Sequence, residues 1–184
     1  VNNDLFHEGG AEISECGRYR YVLWRRWDKA KPRLGFIMLN PSTADANVDD
    51  ATIRVCMGRA RRMGYGGIRV TNLFAFRTKS PEEMKAAADP FGDAHGRREF
   101  WLSQVQDSEF GGIKPIVIAA WGDDGAYRDA ERKALTVICY DMGHRLYHLG
   151  LTKAGHPKHP LRIPYAVEPQ LWIDGRAGWL ARAA

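Results

Sequence analysis

Leu34 to Leu39, L-G-F-I-M-L, carries no polar side chain and stops abruptly at Asn40-Pro41-Ser42-Thr43. A strand apolar on both faces has to run through the middle of a sheet covered above and below, and its polar end is delivered as a tight turn to one sheet edge. That requirement organises everything else. The remaining segments must supply partner strands, two covering layers and whatever surrounds the Asn40 turn.

Three further short strands are predicted: Ile68–Leu73, Pro115–Ala120 and Arg145–Leu149. Between them lie helical patterns. Asp49 or Asp50 caps a helix running to Met63, with Ile53, Met57, Ala60 and Met63 on one face and Arg54, Arg59, Arg61 and Arg62 opposite, stopped by Gly64. Ser80-Pro81-Glu82-Glu83 combines a cap residue, a first-position proline and a glutamate three residues after the cap. A further helix is expected over roughly 95–105, and a long one from Asp123 or Asp124 to about Met142, ended by Gly143. Arg18 to Trp24 alternates polar and aromatic residues like a half-buried edge strand, and residues 1–17 show no periodicity and read as an arm. The tail through Trp172 and Trp179 is expected to pack back as a short helix and an extended end.

Strands alternating with helices predict an α/β fold: a three-layer α/β/α sandwich around a central four-stranded parallel sheet, with an N-terminal edge strand or arm (1–17) and a single domain over 18–184. Ligands of such sheets bind beyond the carboxyl ends of the strands. Each strand is followed there by polar or aromatic residues: Asn40 to Asp45, Asn72 to Arg77, Trp121 to Asp124 and His156 to Arg162. Four segments far apart in sequence are thereby expected at one rim.

The 184 residues, 45% of them hydrophobic and 27% charged, suffice for one domain with a real core. No apolar run approaches the ~20 residues that cross a bilayer, and Val1 to Gly10 has no signal-peptide core, so a cytoplasmic protein is expected. Cys16, Cys56 and Cys139 are odd in number and never in a C-x-x-C pair, which argues against a disulfide framework or a cysteine-rich zinc site. A net charge of +5 permits a polyanionic partner. Four of the six histidines, His144, His148, His156 and His159, cluster near the end and raise a metal site as a rival; His144 and His148 bracket a predicted strand, and no metal or other cofactor is assigned.

The motifs N-P-S-T-A-D, G-Y-G-G followed by T-N-L-F-A-F-R, A-W-G, and L-T-K-x-G-H-P-K-H-P-L resemble those of an uncharacterised domain family. Through it, the order of motifs from Leu34 to Pro164 distantly resembles the uracil-DNA glycosylase superfamily. The resemblance implies a monofunctional DNA glycosylase, acting as a monomer without a membrane, that flips a damaged or modified base into a pocket and leaves an abasic site. Asn40 takes the water-positioning role, Asn72 reads the base edge, and His159 donates to the departing base, with His156 its competitor. Pro41, Ser42, Asp45, Phe74 and Trp121 join Asn72 and His156 as expected substrate-binding residues. The residue that stacks on the base has no counterpart directly after the first motif, and Phe74, Phe76 and Tyr65 compete for it. Arg77, Lys153, Lys158, Leu161 and Arg162 are expected to meet DNA, with Leu161 or Arg162 inserted into the vacated stack. Bulky bases of viral DNA are within the expected substrate range, which leaves repair and antiviral defence both open. Two rivals stand beside this reading: a hydrolase of free nucleotides or nucleosides, and a non-catalytic binder of modified DNA.

Overall fold

A computed structural model describes residues 8–92 and 115–183; the helix expected over 95–105 lies outside them. Seven strands form one mixed sheet in the order β1-β2-β4-β3-β5-β6-β7: β1 (Glu8–Ile13), β2 (Arg20–Arg26), β3 (Arg33–Met38), β4 (Gly67–Asn72), β5 (Val117–Ala120), β6 (Leu146–His148) and β7 (Gln170–Ile173). The four central strands, β4-β3-β5-β6, are parallel, and they are the four strands expected. The sheet is larger than those four. β1 and β2 extend one side and β7 the other, all antiparallel to their neighbours. Part of the expected arm is therefore the edge strand β1, and β2 sits inside the sheet between β1 and β4. In the tail the extended piece, β7, precedes the helix.

Alternation along β3 separates two cores. Leu34, Phe36 and Met38 join one cluster with Ile53, Cys56, Met57 and Ala60 of α1 (Ala51–Arg62), while Ile37 and Leu39 join another. That second cluster includes Met84 of α2 (Pro81–Ala86), Ala130, Ala134 and Leu135 of α3 (Ala130–Leu135), and Ile138 and Cys139 in the π-helical turn Thr136–Asp141 that continues α3. Trp179 of the last helix, α4 (Gly175–Ala183), packs against the same cluster. Phe36, Ile37 and Leu34 are fully buried, and each such side chain removed from water contributes roughly 1.5–3 kcal/mol. None of the described helices is long and apolar enough to cross a membrane. Cys16 is exposed, Cys56 and Cys139 are buried, and all three are free.

Asp50 caps α1, accepting from the Ile53 N–H, and Ser80 caps α2 as its sequence requires. Two helical expectations need correction. Arg59 does not join a solvated face: it is 2% exposed and donates to the carbonyls of Val167 (2.6 Å), Pro164 (2.9 Å) and Ile163 (3.2 Å), so it ties α1 to the tail. The expected long helix is broken into a 3-10 segment (Asp123–Asp129) and α3, because Arg128 and Asp129 take left-handed backbone angles, φ 49° and 61°. The break turns the chain so that Glu131 faces inward, 8% exposed.

Candidate active site at the strand ends

The turns after β3 and β4 lie side by side because backbone pairing continues past the strands. Leu73 N donates to Met38 O (2.8 Å), Phe74 N to Leu39 O (2.9 Å) and Thr78 N to Pro41 O (2.9 Å). Between them the Asn40 amide nitrogen donates to Thr78 O (2.8 Å) and Pro41 O (3.3 Å). Both partners are carbonyls, which only an NH₂ satisfies, so the orientation of this amide is fixed chemically. Its Oδ1 is left without a protein partner among the described residues. Asn40 is half-buried and Pro41 buried, while Ser42 lines an open cleft with Thr43, Phe76 and Arg77.

Asn72, at the end of β4, is 4% exposed. Its Oδ1 accepts from Arg20 Nη2 at 3.4 Å, and its Nδ2 is buried without a hydrogen-bond partner. Arg20 itself is 3% exposed and donates to Ala44 O (2.8 Å). No carboxylate touches it among the described residues, an unusual state for a buried charge. Burial pushes its pKa down to about 10, opposed by the fields of Asp50 and Asp45. Next to it, Arg25 pairs with Asp49 at 2.9 Å and holds Asp45 O at 2.7 Å. Asp45 acts as a turn residue, since its carboxylate accepts from Asn47 N (2.8 Å) and Val48 N (2.9 Å), and these bonds lower its pKa.

Loop 149–163 crosses the ends of β5 and β6. Gly122, at φ 71°, donates to Pro157 O (2.8 Å), and Lys158 N donates to Gly150 O (2.9 Å). Under the loop the Glu131 carboxylate accepts from Trp121 Nε1 (2.8 Å) and contacts His156 Nδ1 (2.5 Å), with Arg182 at 3.5 Å. Trp121, 2% exposed, and His156 thus meet at Glu131 and anchor the loop, and His156 also lines a cavity with Arg132, Trp179 and Arg182. His159 separates from it. It begins the 3-10 turn Pro160–Arg162, and its Nδ1 accepts from Leu161 N at 3.4 Å, which places the ring proton on Nε2. The residue is exposed at the surface, yet the protein around the ring lowers its pKa by desolvation, and the Asp50 charge opposes the shift. Asp50 therefore acts on both Arg20 and His159. Leu161, 42% exposed, stands beyond it, with Lys153, Lys158 and Arg162 also exposed.

Of the aromatic candidates, Phe74 is 0% exposed against Phe91 and Tyr127, and Tyr65 is 5% exposed, so neither offers a face to a ligand. Phe76 lines the cleft beside Asn40's turn. The histidines do not gather: His148 Nδ1 is taken by Gly150 N (2.8 Å), His156 by Glu131, and no group of three or more possible metal ligands occurs among the described residues. Arg20, Arg25 and Glu131 are the site residues that pattern reasoning misses. Arg20 falls in the alternating R-Y-R-Y-V-L-W stretch, Arg25 lies just beyond it, and Glu131 falls within the expected long helix, none of them in a motif.

No curated protein and no solved structure matches the chain. One family model does match, over residues 20–161, from β2 to the His-Pro loop and well beyond half of the chain. On that match the chain belongs to DUF1643, a family described as proteins of unknown function.

Proposed function

We propose that the protein is a monofunctional DNA glycosylase that hydrolyses the N-glycosidic bond of a modified or damaged base flipped to the rim of the parallel strands. The observation that carries this reading is the Asn40 amide: its nitrogen is locked onto two carbonyls, so Oδ1 is held as a fixed acceptor with no protein partner among the described residues. A fixed acceptor orients a water while lacking the strength to abstract its proton fully. Departure of a base through an oxocarbenium-like transition state asks mainly for that orientation, and a slow enzyme follows. Asn72 supplies a buried, unpaired N–H donor at the adjacent strand end, suited to a carbonyl on the base. His159 supplies a neutral imidazole whose Nε2–H can donate to the base as it gains negative charge. Phe76 is the aromatic with access to a cleft and takes the stacking role.

DNA is the partner in this reading. Lys153, Lys158 and Arg162 are exposed around the His-Pro loop, where phosphate contacts give affinity that falls as salt rises, and exposed Leu161 is the wedge that fills the vacated stack. The test is an abasic-site assay on duplex and single-stranded DNA carrying a panel of deaminated and bulky modified bases. Wild type should yield alkali-labile sites with at least one base. Asn40→Ala and His159→Ala should each lower the rate by about 10²-fold or more with DNA binding kept, the size of losing one transition-state contact. Absence of strand scission with every base, or full activity in both variants, would overturn the proposal.

A further inference from the structure

The turns that follow β3 and β4 frame an open cleft of about 340 Å³, walled by Arg18, Ser42, Thr43, Phe76, Arg77 and Thr78 together with Gly17. Among the described residues its charged walls are two guanidiniums, and no carboxylate lines it. The acid that touches its wall, Glu83, is occupied by the Thr78 hydroxyl. Arg77 donates Nη1 to Gly17 O (3.0 Å), and its Nε is buried without a partner. Arg18 is exposed and interacts with the Cys16 thiol. Neither arginine contacts a carboxylate among the described residues, and the Ser42 and Thr43 hydroxyls have no protein partner there. The Arg77 charge also acts on buried Arg20, making that guanidinium harder to keep charged. Two guanidiniums thus wall this cleft, and the Arg77 charge also acts on the Asp45 carboxylate of the neighbouring turn.

Guanidiniums with hydroxyls beside them bind tetrahedral oxyanions through charge-assisted hydrogen bonds. An aromatic ring in the same cleft adds a stacking surface for a base. We propose that this cleft holds a nucleotide, its phosphate bound by Arg18, Arg77 and the Ser42 and Thr43 hydroxyls and its base stacked on Phe76. The inference rests on the glycosylase reading only in taking the nucleotide to be part of a DNA strand; the phosphate site follows from the cleft alone.

Binding without turnover tests it. The full chain is titrated calorimetrically with a deoxynucleoside 5′-monophosphate, the matching nucleoside, inorganic phosphate and a short single-stranded oligonucleotide. The monophosphate should bind at least about tenfold tighter than the nucleoside, the size of one charge-assisted hydrogen bond, and tighter than inorganic phosphate, and the oligonucleotide should displace it. Arg18→Gln and Arg77→Gln should each weaken monophosphate binding about tenfold, and Phe76→Leu should bring it towards inorganic phosphate. Arg18 and Thr43 are exposed, so Arg18→Gln and Thr43→Val report on the site with an unchanged melting temperature even where Arg77→Gln disturbs the Gly17 contact. Equal affinity for monophosphate and nucleoside, or full affinity in Arg18→Gln with Thr43→Val, would overturn the site; failure of the oligonucleotide to compete would overturn its assignment to a strand. A protein that binds the monophosphate here yet leaves no abasic site keeps the cleft and loses the glycosylase reading, and the reverse pattern does the opposite.

Discussion

Asn40 is the residue on which the proposed chemistry turns, and its hydrogen bonds separate it from an aspartate at the same position. A carboxylate there would face the carbonyl oxygens of Thr78 and Pro41, which the amide nitrogen now bonds at 2.8 and 3.3 Å. Asn40→Asp should therefore lower stability by roughly 1–3 kcal/mol at pH 7.5, the cost of leaving buried polar groups unsatisfied. The deficit should narrow as pH falls, because a protonated carboxyl can again donate to Thr78 O. Urea titrations of both proteins at pH 7.5 and 4.5 check this; an equal or larger deficit at the lower pH would mean that the amide is not fixed as described. At this scale the placement of Asn40 and Asn72 at neighbouring strand ends was legible, since each closes a predicted strand. Arg20 was not. Alternation tells which residues share a face of β2, but only the neighbours Ala44 and Asn72 tell which face is inside.

At the scale of elements, the His-Pro loop depends on an acid that no motif contains. Glu131 sits in the first turn of α3 and joins β5's end, through Trp121, to the loop, through His156. The sequence predicts a continuous helix over this stretch, and in a continuous helix Glu131 is one more acid midway along it. The left-handed pair Arg128 and Asp129 redirects the chain, and neither is a glycine, so local propensity carries no sign of the turn. Removing the carboxylate leaves His156 and the Trp121 N–H without their shared partner. Glu131→Ala should cost on the order of 1–3 kcal/mol, the range for leaving buried hydrogen-bonding groups unsatisfied, whereas Glu131→Gln, which keeps an oxygen to accept from Trp121, should cost less. Hydrogen exchange reads the loop directly: amides of Gly122 and Lys158, which donate to Pro157 and Gly150, should exchange faster in Glu131→Ala. Unchanged protection at both would show that the backbone bonds hold the loop without Glu131.

The four parallel strands were legible across the whole molecule because each short strand pattern, apolar in β3 and β5 and mixed in β4 and β6, is set off from its neighbours by turns or helical patterns. Of the strands that widen the sheet, β2 was legible in the alternation of Arg18 to Trp24, whereas two were hidden: β1 contains Gly9 and Gly10, and β7 is half exposed, so neither shows a clean period of two. The completed sheet has a consequence for acid stability that no single segment carries. Three histidines, His144 beside β6, His148 within it and His159 on the loop beyond, have their pKa values lowered by burial. In the unfolded chain each titrates near 6.5. Between that value and the lower folded one the unfolded state binds more protons, so stability rises with pH through the window, is complete above about 7 and is lost on acidification. His148, 8% exposed, should contribute most, because its Nδ1 accepts from Gly150 N and an imidazolium cannot accept that bond. The urea midpoint should therefore fall from pH 7.5 to pH 5.5 in the wild type. His148→Asn retains an acceptor for Gly150 N and removes the proton-binding group, so its midpoint should fall less over the same interval. Parallel pH profiles for the two proteins would place the acid sensitivity in groups other than this strand-end histidine.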